Sequence, residues 1–248
     1  MTTTKCLADR RVLVVGASSG IGAGFAKAAA SEGAKVTLSA RRSQLLDELV
    51  SDIGAGHAVV GDATNPNDAK RVAAEAVEAM GGIDLMVYAA GYGVLQRLGD
   101  TDPDVWADVY RVNVIGANLA AAAVVDLMDR DGMCAFVSSR TTEDTNGLFA
   151  SYSASKAALD QCIRTWRVER PDRRFTRIVM GNCQPTEFAN HMGADLLGDA
   201  IDTWIAQAIP GGMMHVDDVG LAMARALAVG LDHPEIDSSE LKFDARTS

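Results

Sequence analysis

The sequence is short of several residue types, and each shortage argues against a class of protein. Its four cysteines, Cys6, Cys134, Cys162 and Cys183, are widely scattered, with no CxxC pair and no histidine at metal-ligand spacing. A disulfide framework and a metal site are therefore not expected. Aromatic residues make up only 5% of the 248 residues, but 48% are hydrophobic, which is ample for a sizeable core.

Long apolar runs and an excess of positive charge are also missing. The run Ala120–Val125 is far shorter than the ~20 residues of a membrane span, and the segment Met1–Arg11 lacks the apolar region of a signal peptide. A net charge of −10 argues against a broad surface for nucleic acid or anionic lipid. We therefore expect a cytoplasmic protein that binds neither nucleic acid nor membrane.

Short β-branched or apolar runs alternate with longer helical patterns along the whole chain. This alternation predicts an α/β protein, a doubly wound, seven-stranded and mostly parallel sheet flanked by helices on both faces. Since no linker or composition break divides the chain, we expect one domain over residues 1–248. The predicted strands are Arg11–Val15, Lys35–Ser39, His57–Val60, Leu85–Ala89, Met133–Val137, Thr176–Met180 and Leu241–Phe243. The predicted helices are Gly20–Glu32, Ser43–Ile53, Asn67–Met80, Pro103–Met128, Ser151–Arg170, Ala189–Ala208 and Val216–Ala228.

A glycine-rich turn, GASSGIG at residues 16–22, follows the first predicted strand directly, and a helix is predicted to begin there. Glycines in this place permit a tight turn and let the backbone approach a pyrophosphate, whose charge lies at the helix N-terminus. The lysine of a nucleoside-triphosphate loop is absent. Ordinary turn chemistry is the alternative interpretation. The candidate cofactor contacts are Gly16, Ser18, Ser19, Gly20, Ile21 and Gly22.

The end of the second predicted strand indicates which dinucleotide binds. About 20 residues beyond the glycines, an acidic residue would select NAD by binding the ribose 2′-hydroxyl. The chain instead reads Ala40-Arg41-Arg42, and two arginines favour the 2′-phosphate of NADP through charge-assisted hydrogen bonds. If both arginines point to solvent, NAD remains the alternative.

A pair of side chains suited to proton transfer lies in the sixth predicted helix. Tyr152 and Lys156 are four residues apart and so share one helix face. Tyrosine has an ordinary pKa near 10, and a lysine ammonium about 4 Å away would lower it by about 3 units. Ser139 follows the fifth predicted strand, where its hydroxyl would stabilise charge developing on a substrate oxygen.

These residues together resemble the short-chain dehydrogenase/reductase family. The resemblance rests on GASSGIG, Ser139 and Tyr152 to Lys156, and extends from Arg11 to about Leu227. It implies a Rossmann fold, NADP(H) or NAD(H) as cofactor, a small carbonyl or alcohol substrate, and a homodimer or homotetramer. Tyr152 is implied as the general acid/base, Lys156 as its partner and a ligand of the nicotinamide ribose, and Ser139 as the stabiliser of the substrate oxygen.

The resemblance also implies roles for residues outside this motif set. Asn113 would hold a water in a proton relay, although an ordinary buried amide is the alternative. Asp62 with Ala63 would bind adenine, although Asp62 also suits a turn. Ala90 and Gly91 would line the adenine ribose, and Thr186 would contact the nicotinamide carboxamide. The chain departs from the family at Tyr88-Ala89-Ala90-Gly91, where two asparagines are usual, and after the sixth strand, where Pro-Gly is usual.

The insertion Asn182–His215 is apolar, rich in methionine and interrupted by glycines, which predicts a mobile substrate lid. We expect a largely hydrophobic ketone or secondary alcohol as substrate. A lone histidine such as His191 more often packs or is solvated than binds substrate. The expected specificity residues are Tyr92, Arg140, Thr141, Thr142, Phe188, His191, Met192, Leu196, Trp204 and Met213.

Two further interpretations concern partners and turnover. Six arginines between Arg164 and Arg177 would suit docking of an acidic acyl carrier, or they form a solvated rim at a helix C-terminus. A cofactor-sensing protein without turnover is also compatible with the fold, but Ser139, Tyr152 and Lys156 argue against it because a sensor needs no tuned phenol.

Overall fold

The computed structural model describes residues 5–191, 194–209 and 211–246. Its centre is a seven-stranded sheet in the order β3-β2-β1-β4-β5-β6-β9, with parallel pairing throughout. The doubly wound α/β prediction is thus confirmed, and all seven predicted strands are present. The strands are β1 Arg11–Val15, β2 Lys35–Ala40, β3 His57–Val60, β4 Ile83–Tyr88, β5 Met128–Val137, β6 Arg174–Met180, β7 Cys183–Gln184, β8 Met214–His215 and β9 Glu240–Phe243.

Helices cover both faces of the sheet, and in two of them a side-chain cap precedes a proline at the first helical position. Asn65 caps one by accepting hydrogen bonds from the backbone of Asn67 and Asp68, and Asp102 caps another through Asp104, each ahead of a proline. The described helices are α1 Gly20–Ser31, α2 Ser43–Ile53, α3 Pro66–Met80, α4 Pro103–Tyr110, α5 Ala117–Val124, α6 Ala150–Glu169, α7 Ala194–Ala206 and α8 Val216–Asp232.

The core has two layers because the central strands are buried on both faces. Along β1, Val12 and Val14 pack into the layer under α1 and α8, whereas Leu13 and Val15 pack into the layer under α3, α5 and α6. This alternation follows from the two-residue period of a strand. It explains why β1 reads as a continuous apolar run.

The expected single helix Pro103–Met128 is wrong in two respects. A π-helical turn, Arg111–Gly116, separates α4 from α5, and the second helix ends at Val124, so that Met128 already belongs to β5. The Tyr88 hydroxyl donates a 2.7 Å hydrogen bond to the Val112 carbonyl inside this turn. A tertiary contact therefore accompanies the irregularity, and helical periodicity alone does not reveal it.

The insertion after β6 is more divided than the expected helix Ala189–Ala208. It contains a 3₁₀ turn, Glu187–His191, followed by α7. The short strands β7 and β8 pair in parallel and join the two ends of the insertion, a feature that the sequence did not predict. The Trp204 indole donates a 2.8 Å hydrogen bond to the Gly147 carbonyl and so holds α7 to the loop before α6. No helix in the described part of the chain has the length and apolarity to cross a membrane.

Candidate active site

The predicted site residues converge at one edge of the sheet. The glycine turn follows β1, Arg41 and Arg42 follow β2, Ala90 and Gly91 follow β4, and Ser139 follows β5. In a parallel sheet all these carboxyl ends lie together, which is where open α/β sheets bind ligands.

The glycine turn packs directly against the end of β4. Gly16 has φ +88°, and a Cβ there would overlap the backbone nitrogen of Ala90. Only glycine suits both the positive φ and the absence of space for a Cβ. The turn can therefore lie this close to the Ala90-Gly91 backbone. Ser19 caps α1 without a side-chain hydrogen bond to the helix, so the first backbone N–H groups of α1 are available to an anion. Thr186 also reaches this turn, since a Cβ at Gly20 would lie 3.3 Å from the Thr186 methyl carbon.

The two arginines after β2 differ in their surroundings. The Arg42 guanidinium lies 3.0 Å from the Ser18 hydroxyl and 3.1 Å from the Ser19 hydroxyl, and forms a 2.5 Å ion pair with Glu187. Arg41 is exposed. Arg42 thus lies over the glycine turn. The sequence did not predict its ion pair with Glu187 of the insertion, because nothing in the local sequence signals a contact between such distant residues.

Asp62 and Ala63 follow β3 and border a small cavity beside the ends of β1 and β2. The Asp62 carboxylate accepts hydrogen bonds from the backbone and the hydroxyl of Thr64, at 2.9 and 2.8 Å. This is the turn geometry that the sequence left open as an alternative. The cavity is lined mainly by small and apolar groups, including Val15, Gly61 and Val72, and its volume of about 20 Å³ holds roughly one water molecule rather than an adenine ring.

Ser139, Tyr152 and Lys156 lie together and are all buried. The Ser139 hydroxyl hydrogen-bonds the Tyr152 hydroxyl and also accepts from the backbone N–H of Thr141, at 3.2 Å. The Lys156 Nζ lies 5.7 Å from the centre of the Tyr152 ring and donates a 2.7 Å hydrogen bond to the Val137 carbonyl. The backbone of Gly91 passes close to this ammonium, since a Cβ there would lie 3.9 Å from it.

The electrostatics of this group correct one expectation. Burial raises the pKa of Tyr152 to about 12, despite the hydrogen bond from Ser139, whereas the sequence interpretation has Lys156 lowering it. Burial also lowers the pKa of Lys156 to about 8. The physical reason is that both groups are removed from water, and the ammonium is directed at the Val137 carbonyl, so desolvation decides the direction of both pKa shifts.

Asn113 lies in the π-helical turn and is fully buried. Its side-chain oxygen accepts from the Tyr92 N–H at 2.9 Å, and its amide nitrogen donates to the Tyr92 carbonyl and to the Ser155 hydroxyl, at 2.8 and 2.9 Å. Ser155 in turn donates to the Tyr152 carbonyl at 2.6 Å. The side chain therefore connects the loop after β4 to α6, and the water-holding role implied by the resemblance stays a prediction.

An aromatic group covers Tyr152. Phe149 stacks on its ring with centroids 4.5 Å apart, and Phe188 meets it edge-on at 5.0 Å. Trp204 lies 6.0 Å from Phe149, and Leu95 and Leu196 pack against the same cluster. Phe188, Leu196 and Trp204 were predicted to belong here, but Phe149 was missed, although it directly precedes the helix that carries Tyr152.

Other predicted specificity residues have different surroundings. Arg140 is buried and hydrogen-bonds Asp244 at 2.7 and 2.8 Å, which ties the chain after β9 to the loop after Ser139. Met213 is exposed at the end of the insertion. Met192 and the side chain of His191 lie outside the described residues.

The arginine cluster is engaged within the chain. Arg173 donates to the Val125 and Met128 carbonyls, and Arg174 to the Asp131 and Gly230 carbonyls. Arg177 pairs with the buried Asp160. These contacts connect β6 to its neighbours, a role that neither the docking interpretation nor the solvated-rim interpretation included.

Comparison with known proteins agrees with this arrangement. Residues 10–197 match the family model described as "short chain dehydrogenase". A curated relative, glucose 1-dehydrogenase of Gluconobacter oxydans, is 34% identical over 174 residues, which cover 67% of this chain and 65% of that protein. The chain thus spans slightly less than two thirds of that relative's length.

Two solved structures share the fold at lower identity. A short chain dehydrogenase of Burkholderia cenocepacia in complex with NADP has a TM-score of 0.81 at 24% identity, covering 96% of this chain and 97% of that chain. A Burkholderia phymatum homologue in complex with NAD has a TM-score of 0.80 at 21% identity, covering 95% of this chain and 89% of that chain.

Proposed function

Because the chain belongs to the short-chain dehydrogenase/reductase family, we propose that it is an NADP(H)-dependent oxidoreductase that interconverts a carbonyl and a secondary alcohol. The observation that carries the proposal is the buried group of Ser139, Tyr152 and Lys156 beside the glycine turn. A phenol, a hydroxyl and an ammonium held together in an apolar pocket are suited to proton transfer at a substrate oxygen.

The residues around the glycine turn fit a dinucleotide. The close approach of Gly16 to Ala90 and the uncapped N–H groups of α1 form a cradle for a pyrophosphate. Ala90 and Gly91 would line the ribose, Asp62 and Ala63 the adenine, and Thr186 the nicotinamide end. When bound, the nicotinamide supplies or accepts a hydride.

In the reductive direction, Ser139 would donate a hydrogen bond to the substrate carbonyl oxygen and orient it toward Tyr152. As the carbon gains hydride, the C=O π bond breaks and negative charge develops on the oxygen. Tyr152 transfers its hydroxyl proton to that oxygen, which leaves a phenolate. The Lys156 ammonium stabilises this phenolate, and the oxidative direction reverses each transfer.

Preference for NADP(H) over NAD(H) rests on Arg42. Its guanidinium already lies against Ser18 and Ser19 and carries Glu187 as a counter-ion. A 2′-phosphate at this edge of the sheet would compete with Glu187 for the guanidinium and form charge-assisted hydrogen bonds. An acidic residue that would repel that phosphate is absent between Ala40 and Arg42.

A largely apolar substrate is the second part of the proposal. Phe149 and Phe188 lie against the Tyr152 ring, and Trp204 packs on Phe149, so a molecule that reaches the phenol contacts aromatic rings. Apolar groups gain most from such a site. Acyl-carrier docking is not proposed, because Arg173, Arg174 and their neighbours are engaged within the chain.

The test is a panel of ketones and secondary alcohols, followed through NADPH and NADH absorbance with the wild type and Tyr152→Phe. We expect turnover with an apolar member of the panel, and a kcat about 10²- to 10⁴-fold lower in Tyr152→Phe. Loss of the transferable proton causes this fall, so NADPH affinity by fluorescence titration should stay unchanged.

Tyr110→Phe is the matched control, because it removes a phenolic hydroxyl from α4 outside the catalytic group, and it should retain wild-type kcat. Near-normal turnover in Tyr152→Phe would contradict the assignment of the proton donor. NADPH binding without turnover of any panel member would instead favour a cofactor-sensing protein.

A further inference from the structure

Asp160 is a buried carboxylate that the proposed reaction does not use. It lies on α6 one turn after Lys156, and the two residues are 3% and 2% exposed. Residues four apart on a helix share one face, so the carboxylate and the ammonium are neighbours in the same dry region. A buried charge of this kind is costly unless partners compensate for it.

The partners of Asp160 come from three separate elements. Ser138, directly before Ser139, donates a 2.6 Å hydrogen bond to the carboxylate. Arg177 of β6 forms a 2.8 Å ion pair with it, and Thr142 contributes a further hydrogen bond. The carboxylate thus connects α6 to the end of β5, to β6 and to the loop after Ser139.

We propose that Asp160 is a positioning residue for the proton-transfer group, whose negative charge keeps the Lys156 ammonium protonated behind Tyr152. The proposal rests on the proposed function, since it assigns Asp160 a role through Lys156 and Tyr152. Asp160 itself touches neither substrate nor cofactor.

The charge balance explains why such a residue is needed. Burial lowers the pKa of Lys156 to about 8, and the Asp160 charge is the main force that opposes this fall. Without that charge, burial would leave a larger share of the lysine neutral near pH 7. A neutral amine would not stabilise a phenolate on Tyr152.

Other titratable groups surround this pair. Burial also raises the pKa of Asp160, and the charges of Arg177 and Lys156 together with the Ser138 hydrogen bond oppose that rise. Tyr152 carries Cys183 as a second neighbour, whose own pKa burial raises to about 11. Arg177 is shared with Glu240, at 2.6 Å, and with Glu143, at 3.6 Å. Arg177 therefore helps to keep Asp160 ionised. Its positive charge also offsets part of the negative charge that raises the pKa of Lys156.

If Asp160 had a purely structural role, its ion pair with Arg177 would only hold α6 against β6. Removing either member of the Asp160–Arg177 pair would then weaken the fold in the same sense. The electrostatic role predicts opposite effects on Lys156: loss of the carboxylate lowers the pKa of the lysine, and loss of the guanidinium raises it.

The experiment measures the pKa of Lys156 in two ways, in the full-length protein. Lysine labelled with ¹³C at Cε reports each ammonium by NMR, and Lys156→Met assigns the signal. The second readout is the alkaline limb of the kcat profile. In Asp160→Asn we expect both to move to lower pH, by about one pH unit or more, and in Arg177→Gln to higher pH.

Ser138→Ala is the matched control, because it removes a hydrogen bond to Asp160 but leaves the charge, so the shift should be much smaller. Asp160→Glu keeps the charge and should restore the profile if Asp160→Asn fails to fold. An unchanged Lys156 titration in Asp160→Asn, or shifts in the same direction in both charge variants, would overturn the proposal. If the NMR shifts occur but the wild type turns over nothing, the proposed function fails and the Asp160–Lys156 coupling stands.

Discussion

At the scale of single residues, burial rather than the neighbouring lysine decides the direction of the pKa shift of Tyr152. The sequence places Lys156 on the same helix face, and this relation is correct, but the phenol and the ammonium are both buried. Burial raises the pKa of Tyr152 to about 12. A phenol that keeps its proton at neutral pH is suited to donate it to a carbonyl oxygen, and the phenolate is then formed only during the reaction.

Arg42 carries the cofactor prediction at this scale. Arg42→Ser removes the guanidinium that lies against Ser18 and Ser19, and each good contact to a 2′-phosphate contributes about 1.5–3 kcal/mol. We expect the Kd for NADPH to rise about tenfold to hundredfold, while the Kd for NADH stays unchanged. Fluorescence titration with both cofactors measures this.

Arg41→Ser and Arg130→Ser accompany Arg42→Ser in the cofactor experiment. Arg41→Ser reports whether the exposed neighbour shares the phosphate. Arg130→Ser removes the same charge from an exposed position on β5 and should change neither affinity. Equal losses for NADPH and NADH, or no loss in either Arg41→Ser or Arg42→Ser, would refute the NADP(H) preference.

At the scale of elements, the π-helical turn between α4 and α5 receives a hydrogen bond from Tyr88, which stands where the family usually has an asparagine. The family usually has two asparagines where this chain has Tyr88 and Ala89. Here the Tyr88 hydroxyl bonds to the Val112 carbonyl, one residue before Asn113. Gly116 makes room for it, since a Cβ there would lie 2.5 Å from the Tyr88 oxygen. The phenol thereby supports the turn that aims Asn113 at Tyr92 and Ser155.

Tyr88→Phe tests this support. The change leaves the Val112 carbonyl without that partner, so we expect the free energy of unfolding in urea to fall by about 1 kcal/mol. It should also lower kcat more than it changes KM, because Asn113 connects to α6 through Ser155.

Gly116→Ala completes a double-mutant cycle with Tyr88→Phe. Its cost should be smaller in the Tyr88→Phe background, since the atom that it crowds is then absent. Strictly additive costs would show that the tyrosine and the glycine are not coupled. Tyr110→Phe again provides the phenol-matched control.

At the scale of the whole molecule, the close contact of α1 with α8 joins two elements that are far apart in sequence. A Cβ at Gly220 would overlap the backbone of Gly24, so the two helices cross with their backbones in contact. Because α1 begins at the glycine turn, its packing on α8 also fixes the position of the cofactor cradle.

Gly220→Ala is therefore expected to destabilise the protein by about 1–3 kcal/mol through overpacking, and to weaken NADPH binding because α1 shifts. Thermal unfolding and fluorescence titration measure the two effects. Gly198→Ala is the matched control: it lies on α7 with no atom near its added methyl, and it should be neutral or slightly stabilising. Unchanged stability in Gly220→Ala would contradict the helix contact.

The sequence by itself determined the strand and helix order, because burial on both faces leaves continuous apolar runs in β1 and its neighbours and amphipathic periods between them. It also located the glycine turn, the arginines after β2, Ser139, Tyr152 and Lys156, because these depend on short spacings and on the ends of strands.

Only the tertiary structure decided the features that depend on distant parts of the chain. The Arg42–Glu187 pair, the contact of Phe188 with Tyr152, the π-helical turn at Asn113 and the β7–β8 pairing each join segments far apart in sequence. The pKa directions of Tyr152 and Lys156 belong to the same class. They depend on how much water the folded protein excludes, and no local spacing encodes that quantity.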